Sequence, residues 1–136
     1  MKFVLPFPPS VNAAYKMNRG HRSKGAKVLA WEKKASDALN QQNILPYVGR
    51  CVIIYELCYP DNRTRDAANY EKSTTDFLVA KGILAGDDRR YIKGILSIWN
   101  DIKGDFITIH IKPADHPLIE SFCQARTLQG SPLSCQ

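Results

Sequence analysis

The chain has 136 residues, a formal net charge of +6 and a pI near 9.2, with 44% apolar residues. That is the size of one domain with a modest core. No apolar run reaches about 18 residues and the start carries no signal-peptide pattern, so a membrane-spanning or secreted protein is not expected and a cytoplasmic one is.

Eighteen of the nineteen Lys and Arg residues lie at or before Lys112, against eleven of the thirteen Asp and Glu residues. The positive surplus therefore sits in the first 112 residues, which favours a nucleic acid partner over a neutral one. Ordinary solubilising charge is the plainer alternative. The four cysteines form no Cys-x-x-Cys pair and have no His nearby that completes a zinc pattern; Cys51 and Cys58, an odd number of residues apart, would face opposite sides of a strand. Free cysteines fit a reducing compartment.

In chain order, Met1 to Leu5 reads as a short strand stopped by Pro6, Pro8 and Pro9, which cannot donate to a sheet ladder. Ser10 to Lys27 holds five basic residues, one His and no acid, too little apolar content to pack by itself. It is expected to be a mobile loop that grips phosphates through Lys16, Arg19, Arg22, Lys24 and Lys27, or simply a solvated loop. Ser23 is the expected cap of a helix whose stripe is Val28, Trp31, Ala35, Ala38 and Leu39, with Lys33 and Lys34 turned away, ending near Asn43. Arg50 to Tyr59, rich in Val, Ile and Tyr, reads as a strand ended by Pro60 and Asp61.

A second helix is expected from Asp66 to about Lys81, ending at Gly82. Tyr70, Thr74, Phe77 and Leu78 form its buried face; Asn69, Lys72, Ser73 and Asp76 share another. Asp66 at its start can be a plain N-cap, or a carboxylate held ionised and oriented toward a cation by the positive helix end. Asp87 and Asp88 follow Gly86 and could be mere turn formers, but the helix and loop are expected to bring them back beside Asp66. Strands from about Tyr91 to Trp99 and from Phe106 to Lys112, joined by a turn with Asn100, Asp101, Lys103 and Gly104, complete a meander, with His110 a strand residue rather than a ligand. Pro113 to Gln136 is read as a disordered tail in which Leu118, Ile119 and Phe122 could dock as a short helix.

The run Arg63-Thr64-Arg65-Asp66-Ala67-Ala68-Asn69-Tyr70-Glu71-Lys72, followed by Asp76 and Asp87-Asp88, sets acidic candidate ligands among cations, as a site handling a polyanion and a divalent metal requires. These residues resemble the RusA-like family of Holliday junction resolvases, whose hallmark is Arg-Arg-Asp-x-Asp-Asn-x-x-Lys, then a further Asp, then an Asp-Asp pair. Pro8-Pro9-Ser10-Val11-Asn12 is similar to that family's Pro-Pro-Ser-x-Asn segment, and Arg19-Gly20 falls in its basic loop. The match covers about the first 112 residues. One departure stands out: Ala68 occupies a position where the family has Asp.

The resemblance implies an α+β domain, 1–112, with a mixed β-sheet and two main helices, and residues 113–136 as a C-terminal extension. It implies a homodimer that binds four-way DNA junctions and cuts them with Mg²⁺, or Mn²⁺ as substitute. Asp66, Lys72, Asp88 and the Ala68 position would be catalytic; Asp66, Asp87 and Asp88 would hold metal. Asn12, Lys16, Arg19, Arg22, Lys24, Lys27, Arg63, Arg65 and Asn69 would contact DNA. The missing carboxylate implies a catalytically deficient chain, and an Asp-to-Ala change in an otherwise intact motif is the usual way to trap a nuclease on its substrate. Two other classes stay open: a junction-binding module without catalysis, and a more general metal-dependent nuclease or an RNA-binding protein using the same basic loop.

Overall fold

The computed structural model describes residues 1–18 and 20–128. Four strands form one mixed sheet in the order β1 (Lys2–Pro6), β6 (Phe106–Pro113), β4 (Cys51–Tyr59) and β5 (Ile92–Lys103). The β1–β6 and β6–β4 pairs are antiparallel, and β4 and β5 run parallel. The architecture is α+β.

Alternation along the strands selects the buried face. Phe3, Leu5, Ile53, Tyr55, Leu57, Ile107, Ile109 and Ile111 are all within 2% of full burial. They pack against two helices, α2 (Ala26–Gln42) through Trp31, Ala35 and Leu39, and α3 (Glu71–Ala80) through Phe77 and Leu78. Trp31 and Phe77 meet edge to face at 5.0 Å, and the Trp31 indole donates to the Pro6 carbonyl at 2.9 Å. The Gln42 amide accepts from the Val4 N–H at 2.9 Å and donates to the Val4 carbonyl at 2.7 Å, which satisfies part of the free edge of β1.

Several local expectations change. The segment read as a mobile loop contains a short helix, α1 (Val11–Ala14), and an antiparallel hairpin of β2 (Tyr15–Asn18) and β3 (His21–Lys24). Asn18 pairs with His21, and Gly20 before it has φ 80°, a conformation suited to glycine. The N-cap of α2 is Gly25, with no side-chain bond, not Ser23, which lies within β3. Ser73 is buried and donates to the Pro9 carbonyl at 3.0 Å, because the proline segment packs over α3.

The expected meander does not form. Gly104 and Asp105 join β5 to β6 as a hairpin turn would, yet β4 lies between the two strands. A bulge makes this possible. Leu57 faces Trp99 and Tyr59 faces Lys103, so two steps along β4 are matched by four along β5. The chain then passes over the end of β4, where Gly104 N–H donates to the Tyr59 carbonyl at 3.0 Å.

Beyond the sheet, Pro117–Leu128 forms α4, tied down by a Lys93–Glu120 ion pair at 3.6 Å. Leu118 and Phe122 remain exposed, and residues 129–136 of the expected tail lie outside the described ones. Among the described residues, no helix is long and apolar enough to cross a membrane.

Candidate active site

Pro60 ends β4 and a loop carries the chain to Asp66, its shape fixed by one carboxylate. Asp61 accepts the Arg63 backbone N–H at 2.9 Å and the Arg63 side chain at 3.0 Å, and it takes both terminal nitrogens of Arg65, one of them at 2.8 Å. Arg65, then Arg63, holds the Asp61 carboxyl far below the usual carboxylate range. The two arginines expected to grip phosphate are thus arranged around Asp61. Arg63 stays open to solvent, with 77% of its side chain exposed, whereas Arg65 is 13% exposed.

Asp66 follows directly. It caps a 3₁₀ turn (Ala67–Tyr70) that precedes α3, and its Oδ1 accepts the Ala68 N–H at 3.1 Å. The expected helix start is therefore this turn, with α3 beginning at Glu71. Asp66 and Ala68 are both exposed, and Asn69 is half-buried. One turn on, Lys72 stands 3.4 Å from Asp76. The turn is anchored by Tyr70, whose ring lies 4.9 Å from Phe7 and 6.2 Å from Trp99 of β5.

A cleft of about 410 Å³ brings Lys27 together with Arg63 and Arg65, walled by Pro8, Pro9 and Tyr70. Asn12 is exposed on α1 nearby in the chain. Lys24 pairs with Glu32 at 2.6 Å. Lys16 lies on β2 and Arg22 on β3, and Arg19 lies outside the described residues.

Asp87 and Asp88 sit elsewhere. Asp88 accepts the Arg90 N–H and Nε at 2.9 Å each and a terminal Arg90 nitrogen at 2.8 Å, and this guanidinium pulls its pKa down to about 2. A close second carboxylate would have pushed it the other way. The Asp88 carbonyl accepts from Tyr91 and Ile92, and the Tyr91 carbonyl accepts from Cys51. Asp88 therefore lies where β4 and β5 begin, while Asp66 lies by Trp99, where they finish. Six residues of β4 separate these levels, about 20 Å at strand rise. Asp66 and Asp88 of one chain do not converge, because α3 carries the chain the length of the sheet between them.

Among the described residues, no group of three or more His, Cys, Asp or Glu side chains is placed to hold a metal ion. The donors of a single chain do not fit the cation that the sequence resemblance implies: Ala68 offers no side-chain oxygen, and Asp88 is distant from Asp66.

The family model for endodeoxyribonuclease RusA matches residues 6–112. The chain belongs to the RusA family. This is a family of Holliday junction resolvases, and the match ends at the last residues of β6, before α4. No curated relative matches the chain. Residues 6–112 include every candidate named above, and the Arg63 to Lys72 run lies on the loop and 3₁₀ turn that family membership makes the first place to look for catalysis. Missed in the sequence were Asp61 and Trp99. The spacing Asp61-x-Arg63-x-Arg65, which lets one carboxylate meet both guanidinium groups, was the available signal for the first.

Proposed function

We propose that the chain is one subunit of a homodimeric four-way-junction endonuclease whose cutting site is shared between two chains. The observation that carries this reading is the separation of Asp66 from Asp88 along the parallel β4–β5 pair, combined with the free edge of β5. As the last strand of its sheet, β5 offers a row of backbone donors and acceptors, and it exposes Ile95, Leu96, Ile98 and Ile102 (38–57%). Such an apolar edge is a template for another strand.

A twofold axis through the middle of β5 would pair it antiparallel with its copy. The start of one β5 then lies beside the end of the other, so Asp88 of each chain approaches Asp66 of its partner. Two equivalent sites result, which suits the opposed cuts that a symmetric junction needs. Asp66, the Ala68 position and the partner's Asp88 would hold the divalent cation, Mg²⁺ with Mn²⁺ as substitute, with Asp87 in support. Lys72 and the basic cleft at Lys27 and Arg63 would face the phosphates.

With Ala at position 68 the chain is expected to bind junctions and cut them poorly. A junction-binding protein without catalysis is the second reading, and it rests on the same residue; a nuclease of broader substrate range is the third. Cleavage of junction, duplex and single-stranded DNA by this chain and by Ala68→Asp, side by side over a Mg²⁺ series, tests them. Selective junction cutting regained in Ala68→Asp supports the resolvase reading. Equal inactivity of both leaves the binding module, and equal cutting of all three substrates leaves the general nuclease.

A further inference from the structure

Asp66 has a cavity on its N-terminal side that phosphate binding does not account for. It measures about 330 Å³, at the lower end of ligand pockets, and is lined by Tyr59, Asp61, Asn62, Arg65, Trp99 and Asp101 among others. The bulge in β5 builds it. Four residues of β5 opposing two of β4 throw Asp101 and Ile102 outward, Asp101 adopts φ 61°, and the Asn100 side chain accepts the Ile102 N–H at 3.0 Å. Bulges and left-handed non-glycine residues tend to occur where a strand is reshaped for a site.

Its walls suit a flat ring better than an anion. Trp99 is half-buried and rigidly backed, stacked on Phe7 at 6.3 Å and 18° and met edge-on by Tyr70 at 6.2 Å. Tyr59 supplies a second aromatic surface. The charges of Arg63 and Arg65, which share the Asp61 carboxylate, are offset in this cavity by Asp61 and Asp101. An aromatic base would find there a stacking platform together with Asn62 as donor and acceptor.

We propose that this cavity is a nucleobase pocket, which takes up one base unstacked from the junction beside the phosphate that Asp66 faces, with Trp99 as its platform. The inference rests on the resolvase reading, because a base next to the point of strand exchange is the one whose unstacking costs least. Asn62 reads the edge of that base, so the pocket gives the enzyme a base preference at one position.

The test is equilibrium binding of junctions in which each nucleotide near the exchange point is replaced in turn by an abasic site. One position should weaken binding about 5- to 150-fold, the range for loss of one base stack. In Trp99→Ala that sensitivity should vanish, and in Trp99→Phe it should persist. Asn62→Ala, exposed and away from the core, should change the order of the four bases at the sensitive position without lowering thermal stability. No sensitive position, an unchanged sensitivity in Trp99→Ala, or an unchanged base order in Asn62→Ala each overturns the pocket alone. Failure to bind junction DNA at all would overturn the resolvase reading, and the pocket with it.

Discussion

Where β4 and β5 finish, the chain is shaped in detail. A bulge, a left-handed Asp101, a carboxylate clasping two arginines and a rigid aromatic stack surround Asp66. Where the same strands begin, Asp88 stands on an exposed turn with one close partner, Arg90. The first end holds most of a site and the second holds one exposed carboxylate, bonded to Arg90. A group destined for another chain's site needs exposure more than scaffolding, and this difference is the ground for a cutting site shared by two subunits.

The sharpest break in that comparison is at the shaped end. Ala68→Asp supplies the carboxylate that this end lacks, and Mg²⁺-dependent junction cleavage should rise by about a hundredfold or more, as restored transition-state charge stabilisation does elsewhere. Single-turnover rates for the two chains measure it. An unchanged rate would remove position 68 from the site.

Next comes the seam between the two ends. Ile98→Glu and Leu96→Lys place charge on the β5 edge, where pairing would have to desolvate it. In the Ala68→Asp background each should yield a monomer by sedimentation and lose cleavage at least about tenfold. The fold itself should lose no more than about 0.5 kcal/mol, because both positions are exposed in the single chain. A monomer of undiminished activity would mean that one chain suffices.

The separation of the two ends was only partly legible in the sequence. The Val, Ile and Tyr content of Arg50 to Tyr59, the alternation of His110 with Ile109 and Ile111 in Phe106 to Lys112, and the stripe Val28, Trp31, Ala35 and Leu39 foretold the strands and helix they became. What failed was pairing. Asn100, Asp101, Lys103 and Gly104 read as the turn of a hairpin, but β5 runs on to Lys103 and nothing local reveals that the chain then steps across β4. The β2–β3 hairpin escaped because β3 is wholly polar and the alternation of Tyr15 and Met17 in β2 is too short to mark a strand. Ten residues of α3 rise about 15 Å, and that length, taken with a parallel β4–β5 pair, is what holds Asp66 and Asp88 apart.

A smaller effect concerns the basic hairpin beside the shaped end. Replacing Arg19, Arg22 and Lys24 together with Ala should flatten the salt dependence of junction binding by up to about three units of slope, roughly one for each phosphate no longer neutralised. A salt titration with an unchanged slope would assign the hairpin to plain surface.

Smallest is a pH effect beneath the bulge. His110 and Asn100 meet the Glu56 carboxylate at 2.8 Å and 3.3 Å and lower its pKa. A depressed carboxylate contributes stability that is present above its unfolded pKa of about 4.3 and is lost as pH falls through the lower folded value. Glu56→Gln should remove that acid-side slope, a change of about 1 kcal/mol for this partly exposed pair. Urea denaturation between neutral pH and pH 3 checks it, and an unaltered slope would show that the carboxylate adds nothing there.

The shared site itself is tested most directly by mixing two inactive chains. In the Ala68→Asp background, Asp66→Asn and Asp88→Asn should each abolish junction cutting alone. A heterodimer of the two pairs the intact Asp66 of one chain with the intact Asp88 of the other at one site and leaves the second site doubly damaged. Mixing should therefore restore nicking of a single strand of the junction. No cutting by the mixture, with heterodimers confirmed by mass spectrometry, would contradict a shared site, because a site contained within one chain is broken in both partners.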